Sequence, residues 1–369
     1  MSSAEWKTIP LSDIVDIIGG GTPKTSNPDY WNGEIPWISI VDFGNGKKFI
    51  WDTEKKITQS GLENSSTRIL HKGQIVISAR GTVGEIGVVT KDMAFNQSCY
   101  GLNAKDIACN EFLYYLLSFS IHQLKQKTHG SVFETITRDT FNNIHVNLPP
   151  LPEQRAIAGV LSALDDKIEL NRRMNHTLEQ LAQALFKHMF VNNSECEKWD
   201  VKTLDYVCGF EYGKALKETS RVSGIIPVYG SNGHIGFHNE FLVKGPGIVV
   251  GRKGNPGIVT FVHTDFFPID TTFYVVPKNN SSFYWLFFTL SDLNLPNLGA
   301  DSAVPGLNRN IAYMSLVAVP PQDLCYEFEN LIKPLFEKIQ VNNKETQTLA
   351  ELRDTLLPKL MSGQVRVKI

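Results

Sequence analysis

The chain has 369 residues, 42% of them hydrophobic, with 36 basic against 38 acidic side chains and a formal net charge of -2. That length holds two domains of ordinary size, and the apolar content is that of packed cores, which excludes a disordered tail. The near-neutral balance excludes a global basic field, so any contact with nucleic acid must come from local patches. The five cysteines (Cys99, Cys109, Cys196, Cys208, Cys325) show no C-x-x-C pair and no His/Cys ligand spacing, and an odd number fits reduced thiols and a cytoplasmic location. The start MSSAEWKTIPLSD lacks a basic stretch followed by an apolar run, and no segment approaches 18 uncharged apolar residues, so neither export nor a membrane span is expected.

In chain order, residues 1–148 are dense in turn signals (GGGTPKTSNPDYWNGE, FGNGKK, ARGTVGEIG) separated by short β-branched and aromatic runs such as IPWISIV, QIVISA and IGVVT. This texture predicts a mainly β domain. Residues 149–192 open on Pro149 and Pro150, which forbid a helix from extending backwards, and continue as a heptad helix. Ile157, Leu161, Leu164, Ile168, Asn171, Asn175, Leu178, Ala182, Leu185 and Met189 alternate at spacings of four and three, the seam of a coiled coil. Residues 197–318 repeat the β-rich texture, and residues 319–362 repeat the helix, from Pro320 and Pro321 to a glycine stop after Met361. Its seam is Phe328, Ile332, Leu335, Ile339, Asn342, Thr346, Leu349, Arg353, Leu356 and Leu360, and Pro334 within it should kink or restart the helix. The last segment, 363–369, reads as a strand returning to the first domain.

The two helices align without a gap at an offset of 171 residues, and the globular segments align weakly at 171 to 173. Arg80-Gly81 faces Lys253-Gly254, Gly84 faces Gly257, and Arg138 faces Arg309. Trp6 and Trp199 open the two copies alike, and these two with Trp31 and Trp37 belong to cores or strand pairing. The expected fold class is therefore α+β: two mainly β domains separated by two long antiparallel coiled-coil helices, with an internal pseudo-two-fold repeat. Asn171 and Asn342 lie near the helix midpoints, where pairing would set them opposite each other and fix the register, unless the seam passes a solvated patch there. A helix of about 39 residues spans roughly 58 Å at 1.5 Å per residue, about the length of 17 base pairs.

No enzyme motif survives inspection. Asn27-Pro28-Asp29-Tyr30 is near the N-P-P-Y motif of adenine methyltransferases but departs at Asp29, and no glycine-rich strand-to-helix turn accompanies it. GGGTPKTS fails as a phosphate loop because Pro23 stands where a glycine must precede Lys24. The nine histidines form no H-E-x-x-H or nucleophile grouping.

The helix segments LPPLPEQRAIAGVLSALDDKIELNRRMNHTLEQLAQALFK and LRDTLLPKLMSG, with the blocks GGGTPKTSNPDYWNGEIPWISI and YGSNGHIGFHN, resemble the specificity subunit of type I restriction-modification enzymes over essentially the full length. The resemblance implies two target recognition domains, each reading one half of a bipartite asymmetric site in double-stranded DNA. It implies that two methylation subunits dock on the helices, with restriction subunits joining the full complex, and no membrane. It also implies that this chain holds no cofactor or metal and no catalytic residue, S-adenosylmethionine belonging to the methylation subunit. A stand-alone adenine methyltransferase and a coiled-coil adaptor are the alternatives. The second helix departs from the pattern, since PPQDLCYEF lacks the PEQ of the first, so a contact made by Glu153 and Gln154 is expected to be missing there.

Polar loops carrying forked or amide side chains are the expected DNA contacts, because such groups read base edges while lysines and hydroxyls hold phosphates. In the first domain these are Thr22, Lys24, Thr25, Ser26, Tyr30, Arg80 and Arg138. In the second they are Tyr212, Lys214, Ser231, Asn232, Arg252, Lys253, Asn308 and Arg309. Any one of them alone is equally well a solvated loop residue. Residues matched between the repeats suit phosphate positioning or a structural salt bridge, and unmatched ones suit base reading.

Overall fold

The computed structural model describes residues 6–44, 46–127, 135–299 and 306–368. Its contacts divide the chain into two compact units, residues 1–171 with 345–369, and residues 172–344. Unit 1 begins with β1 (Lys7–Pro10) and β2 (Val15–Gly19), followed by β3 (Trp31–Ile38), β4 (Phe49–Ile50), β5 (Lys55–Ile57), the short helix α1 (Gln59–Glu63) and β6 (Ile69–Leu70). It continues with β7 (Ile75–Ser78), β8 (Ile86–Val89), β9 (Met93–Phe95), β10 (Cys99–Ala104), α2 (Asn110–Lys127), α3 (Arg138–Asn143), β11 (His145–Leu148) and the long helix α4 (Leu151–Phe186). Its main sheet has the order β2-β10-β7-β8-β4, a second sheet is β5-β3-β9-β6, and β1 pairs with β11. The fully apolar run Ile75-Val76-Ile77 is buried on both faces of the central strand β7, between α2 on one side and the second sheet's residues Phe95 and Leu70 on the other.

Unit 2 contains β12 (Asp200–Thr203), α5 (Leu204–Val207), β13 (Cys208–Tyr212), β14 (Ile226–Gly230), β15 (Gly233–His238), β16 (Gly247–Gly251), β17 (Val259–Val262), β18 (Phe267–Pro268) and β19 (Thr272–Pro277). Then come α6 (Phe283–Asp292), α7 (Arg309–Tyr313), β20 (Leu316–Val319) and the long helix α8 (Gln322–Met361). Its main sheet β13-β19-β16-β17 reproduces β2-β10-β7-β8, β12 pairs with β20 as β1 does with β11, and a small sheet is β15-β14-β18. Strand register makes the match residue by residue: Tyr100 pairs with Gly19 and Ile77 as Phe273 pairs with Tyr212 and Val250. The offset is thus 193 residues at the first strand of the sheet and 173 at the third. The segment between these strands is longer in unit 1, where it carries β4, β5, α1 and β6.

The long helices pair antiparallel, and each unit contains half of each rather than a globule set apart from a helical spacer. In unit 1 Asp165 bonds Arg353, Lys167 meets Glu345, and Asn171 donates to Glu345 and Thr346. In unit 2 Asn342 donates to Asn175, Asn175 donates to Asn343, and Phe186 contacts Phe328. Residue numbers fall on one helix as they rise on the other, so the direction follows from the contacts alone. The seam positions Ile157, Leu161, Ile168, Asn171, Ala182, Phe328, Ile332, Ile339 and Asn342 are buried, while Leu164, Leu178, Leu185, Leu335, Leu349 and Leu356 are half-buried. The register is seen in polar partners within each unit: Asn171 meets Thr346 in unit 1 and Asn342 meets Asn175 in unit 2, each partner four positions beyond the repeat mate. Two expectations, a break at Pro334 and a C-terminal strand, are corrected. The helix runs unbroken through Pro334, because a proline there removes one bond of a ladder otherwise held by packing at Ile332 and Phe336. Residues 363–368 form no strand; Arg366 instead pairs with Glu153 and lies over the Trp6 ring, which donates its own Nε1–H to Glu153.

That clasp explains the departure at the second helix. Glu153 is buried under Trp6 and Arg366, and Gln154 donates to the carbonyls of Ile107 and Pro149 while accepting from the Cys109 N–H. At the equivalent positions unit 2 has Leu324 and Cys325, which pack apolar in its core.

A second buried ionic network in unit 1 has apolar residues at its repeat-related helix positions in unit 2. Asp165 accepts from Arg353 at 2.7 Å and from the Tyr115 hydroxyl at 2.6 Å, and Lys48 donates to Tyr115 and Ser162. Burial pushes the Lys48 ammonium below its ordinary value, against the pull of Asp165, and pushes the Tyr115 hydroxyl up. The repeat-related positions of Asp165 and Arg353 are Phe336 and Ala182, both in an aromatic core with Phe261, Tyr284 and Phe288. Removing one partner strands a buried charge, so Arg353→Ala should lower stability by about 3 kcal/mol, the low end for such pairs because Tyr115 remains. Asp165→Asn with Arg353→Met removes both charges and should cost less than Arg353→Ala alone. Thermal unfolding compares the two, and an unchanged midpoint for Arg353→Ala would sink this account.

Candidate nucleic-acid interface

In each unit the candidate residues gather at one end of the main sheet, where the first and third strands finish and their neighbours begin. In unit 1 the Ala79 N–H donates to the Ser98 carbonyl, the Ile136 N–H donates to the Ala79 carbonyl, and Arg80 bridges Thr135. In unit 2 the Arg252 N–H donates to Thr271, the Leu307 N–H to Arg252, and Lys253 bridges Gly306. The turn between them is also the same: Gly81 and Gly84 have φ of +77° and +83°, Gly254 and Gly257 +86° and +82°. Those values lie in the left-handed region that glycine alone enters without strain. At Gly257 an added Cβ would lie 2.3 Å from the Pro296 nitrogen, so the turn is fixed by close backbone approach as well.

Arg138 and Arg309 are both tied to the sheet frame. Arg138 donates to the Ile17 carbonyl at 3.3 Å and Arg309 to the Phe210 carbonyl at 3.2 Å, equivalent positions on the edge strands β2 and β13. Each stands at the first residue of a short helix, α3 or α7, and ties that helix to the sheet edge. Their recurrence therefore has a structural cause. Asn308 caps α7 by accepting from Asn310 and Ile311.

The remaining loops differ between the units. In unit 1 the segment after β2 is held by two tryptophans, Trp37 Nε1 donating to the Gly21 carbonyl and Trp31 Nε1 to the Lys24 carbonyl. This leaves Lys24, Thr25 and Ser26 exposed at the tip, while Thr22 donates to Gln97 in the turn before β10. Tyr30 is not part of this group: its carbonyl accepts from Thr58 and it packs beside Gly61. In unit 2 two guanidinium groups lie near the Tyr212 ring, Arg252 at 5.3 Å and Arg309 at 5.1 Å from its centroid. Arg252 donates Nε and Nη2 to the Asp270 carbonyl. The Lys214 N–H donates to Pro268, Ser231 lies against the Gly254 turn, and Asn232 accepts from the Asn255 amide at 2.6 Å. Gln97 and Asn255 were not singled out in the sequence. Gln97 sits in a short polar turn with no periodicity, whereas Asn255 lies inside the KGNPG turn already matched to the first copy.

Burial pushes the Cys99, Cys208 and Cys325 thiols up to about 12, away from the reactive thiolate, and all five cysteines are free. Among the described residues no helix is long and apolar enough to cross a membrane. What the frame offers is a rigid sheet end carrying exposed forked, amide and hydroxyl side chains, twice, with different side chains each time.

A family model described as the type I restriction modification DNA specificity domain matches residues 3–180 and 196–309. The MjaIX type I restriction enzyme specificity subunit of Methanocaldococcus jannaschii is 28% identical, over 99% of this chain and 94% of its own. The HindI specificity subunit of Haemophilus influenzae is 22% identical, over 98% and 100% respectively. A crystal structure of a type I restriction-modification S subunit from M. genitalium is similar with a TM-score of 0.66 at 20% identity, covering 98% of this chain and 97% of that one, a likeness of fold. With well over half of its residues matched by that family model, the chain belongs to the type I restriction-modification DNA specificity family, as a non-catalytic specificity component.

Proposed function

We propose that this chain is the sequence-reading and assembly subunit of a type I restriction-modification complex. The loops gathered at the end of β2, β7, β8 and β10 contact one half of a bipartite asymmetric site in double-stranded DNA, and those at the end of β13, β16, β17 and β19 contact the other. The observation that carries this reading is one backbone frame built twice, with matched residues tying the frame together and unmatched residues exposed on it. A symmetric pair of identical readers would favour a palindrome; two different loop sets favour an asymmetric site. The free cysteines fit work in a reducing cytoplasm.

The docking of two methylation subunits, through which restriction subunits join, is supported by the outer faces of the helices. Unit 1 exposes Val160, Leu170 and Leu352, and unit 2 exposes Leu331, Val341 and Leu181, each between 39% and 59% accessible. These are the same three positions of the repeat. Recurring apolar side chains outside a seam that already has its own buried residues suit two copies of one partner. S-adenosylmethionine chemistry would lie in that partner.

Purified with its methylation partner, the complex should methylate a two-part asymmetric site, and exchanging residues 1–148 for those of another specificity chain should change one half only. A change in both halves, or in neither, would refute the modular reading, and retained binding without any sequence preference would favour an adaptor. For docking, Val160→Glu with Leu170→Glu should leave thermal unfolding unchanged and remove one methylation subunit of the two. Native mass spectrometry reads the stoichiometry, and an unaltered complex would exclude this face.

A further inference from the structure

We infer that Arg252 reads a guanine in the half-site contacted by unit 2, an assignment that rests on the DNA-reading function proposed above. A guanidinium offers five N–H donors in a fixed planar fork. In Arg252 Nε and one N–H of Nη2 are taken by the Asp270 carbonyl, at 3.2 and 2.5 Å, and the group lies 5.3 Å from the Tyr212 ring centroid and 5.9 Å from that of Phe273. The carbonyl and the aromatic platform hold the plane of the group in place before any ligand arrives. Three N–H donors remain, on Nη1 and Nη2, with no further acceptor among the described residues. Two parallel donors on a held fork match the O6 and N7 acceptors of guanine in the major groove, the pair of atoms that distinguishes a G·C base pair there.

Comparison of the two frames separates this arginine from its neighbours. Register equates Arg252 with Ala79 and Tyr212 with Gly19, so neither the arginine nor the tyrosine beside it is needed to build the sheet end. Arg309 is needed, since Arg138 makes the same carbonyl contact in unit 1. Lys253 faces Arg80 across the repeat and presents a charge in both units, which suits phosphate. Arg252 is thus the arginine of this cluster that the frame does not explain, and holding a fork in place costs side-chain freedom that a simple charge at a phosphate would not require.

The test is the methylation preference of the complex on a library of bipartite sites, for wild type, Arg252→Lys and Arg252→Ala. The wild type should require guanine at one position of the unit 2 half-site. Arg252→Lys keeps the charge but loses the fork, and should relax that position roughly 10- to 100-fold while the preference in the unit 1 half-site stays as it was. That second preference also reports that the complex is folded. Arg252→Ala should relax the same position and lower overall affinity. A wild-type site with no fixed guanine in that half, an unchanged preference in Arg252→Lys, or an equal loss on all sequences would each overturn the guanine assignment alone. A wild-type complex that methylates with no bipartite preference at all would overturn the DNA-reading function and the assignment with it.

Discussion

Everything in this fold hangs on a requirement that neither long helix can meet by itself. A helix of 36 or 40 residues with an apolar stripe needs a partner along its length, and here each stripe is buried against the other in antiparallel register. Because the direction is antiparallel, each unit is closed by the start of one helix and the end of the other. The Ile157–Leu161 stretch of α4 and the Leu360–Met361 end of α8 join the core of the first sheet. Phe186 at the end of α4, with Met189 and Phe190 in the turn that follows it, joins Phe328 and Ile332 from α8 in the core of the second. The helices are therefore components of both globular cores, and a residue in the seam acts on the sheet that it covers.

Duplication then divides the side chains into two kinds. Those that repeat do so because the frame repeats: the left-handed glycines of the β7–β8 and β16–β17 turns, and the arginines that tie α3 and α7 to the edge strands. Those that do not repeat are the Trp-anchored tip at Lys24–Ser26 and the Tyr212–Arg252 stack. Arg138 and Arg309 suited both phosphate ligands and structural ties in the sequence, and their carbonyl contacts supply a structural tie in both units. Recurrence of a basic residue at these positions therefore has a structural cause and does not by itself mark a ligand contact.

Legibility followed the range of the forces involved. Helix limits, the heptad seam and the β texture were readable because they depend on periodicity and on proline and glycine, which act within a few residues. Antiparallel pairing was readable from the order of the parts. The partners of Asn171 and Asn342 were not, since a shift of four residues along a heptad seam leaves the apolar pattern almost unchanged and is decided by polar side chains such as Glu345 and Asn175. The clasp of Arg366 on Glu153 and Trp6 was likewise invisible, because it joins residues 213 apart in sequence through one ion pair; the C-terminal segment was expected to return as a strand and returns through side chains instead. In the interface, exposed loops could be located but not their fixing contacts: Gln97 and Asp270 act through a single amide and a single carbonyl.

A repeated helix also creates a choice of partner, and the unmatched network at Asp165 bears on it. With the register observed here, α4 paired to a second α4 would place Asp165 across from Ala182, and α8 paired to a second α8 would place Arg353 across from Phe336. Either pairing buries a charge with no counter-ion, which costs several kcal/mol, whereas α4 with α8 gives Asp165 a cation at 2.7 Å. The apolar seam alone would tolerate all three pairings, since Leu and Ile occupy most of its apolar positions in both copies. A buried ion pair placed at one end of the seam and replaced by an alanine and a phenylalanine at the other therefore discriminates among helices that share the same stripe, and it does so with residues whose net contribution to stability is small.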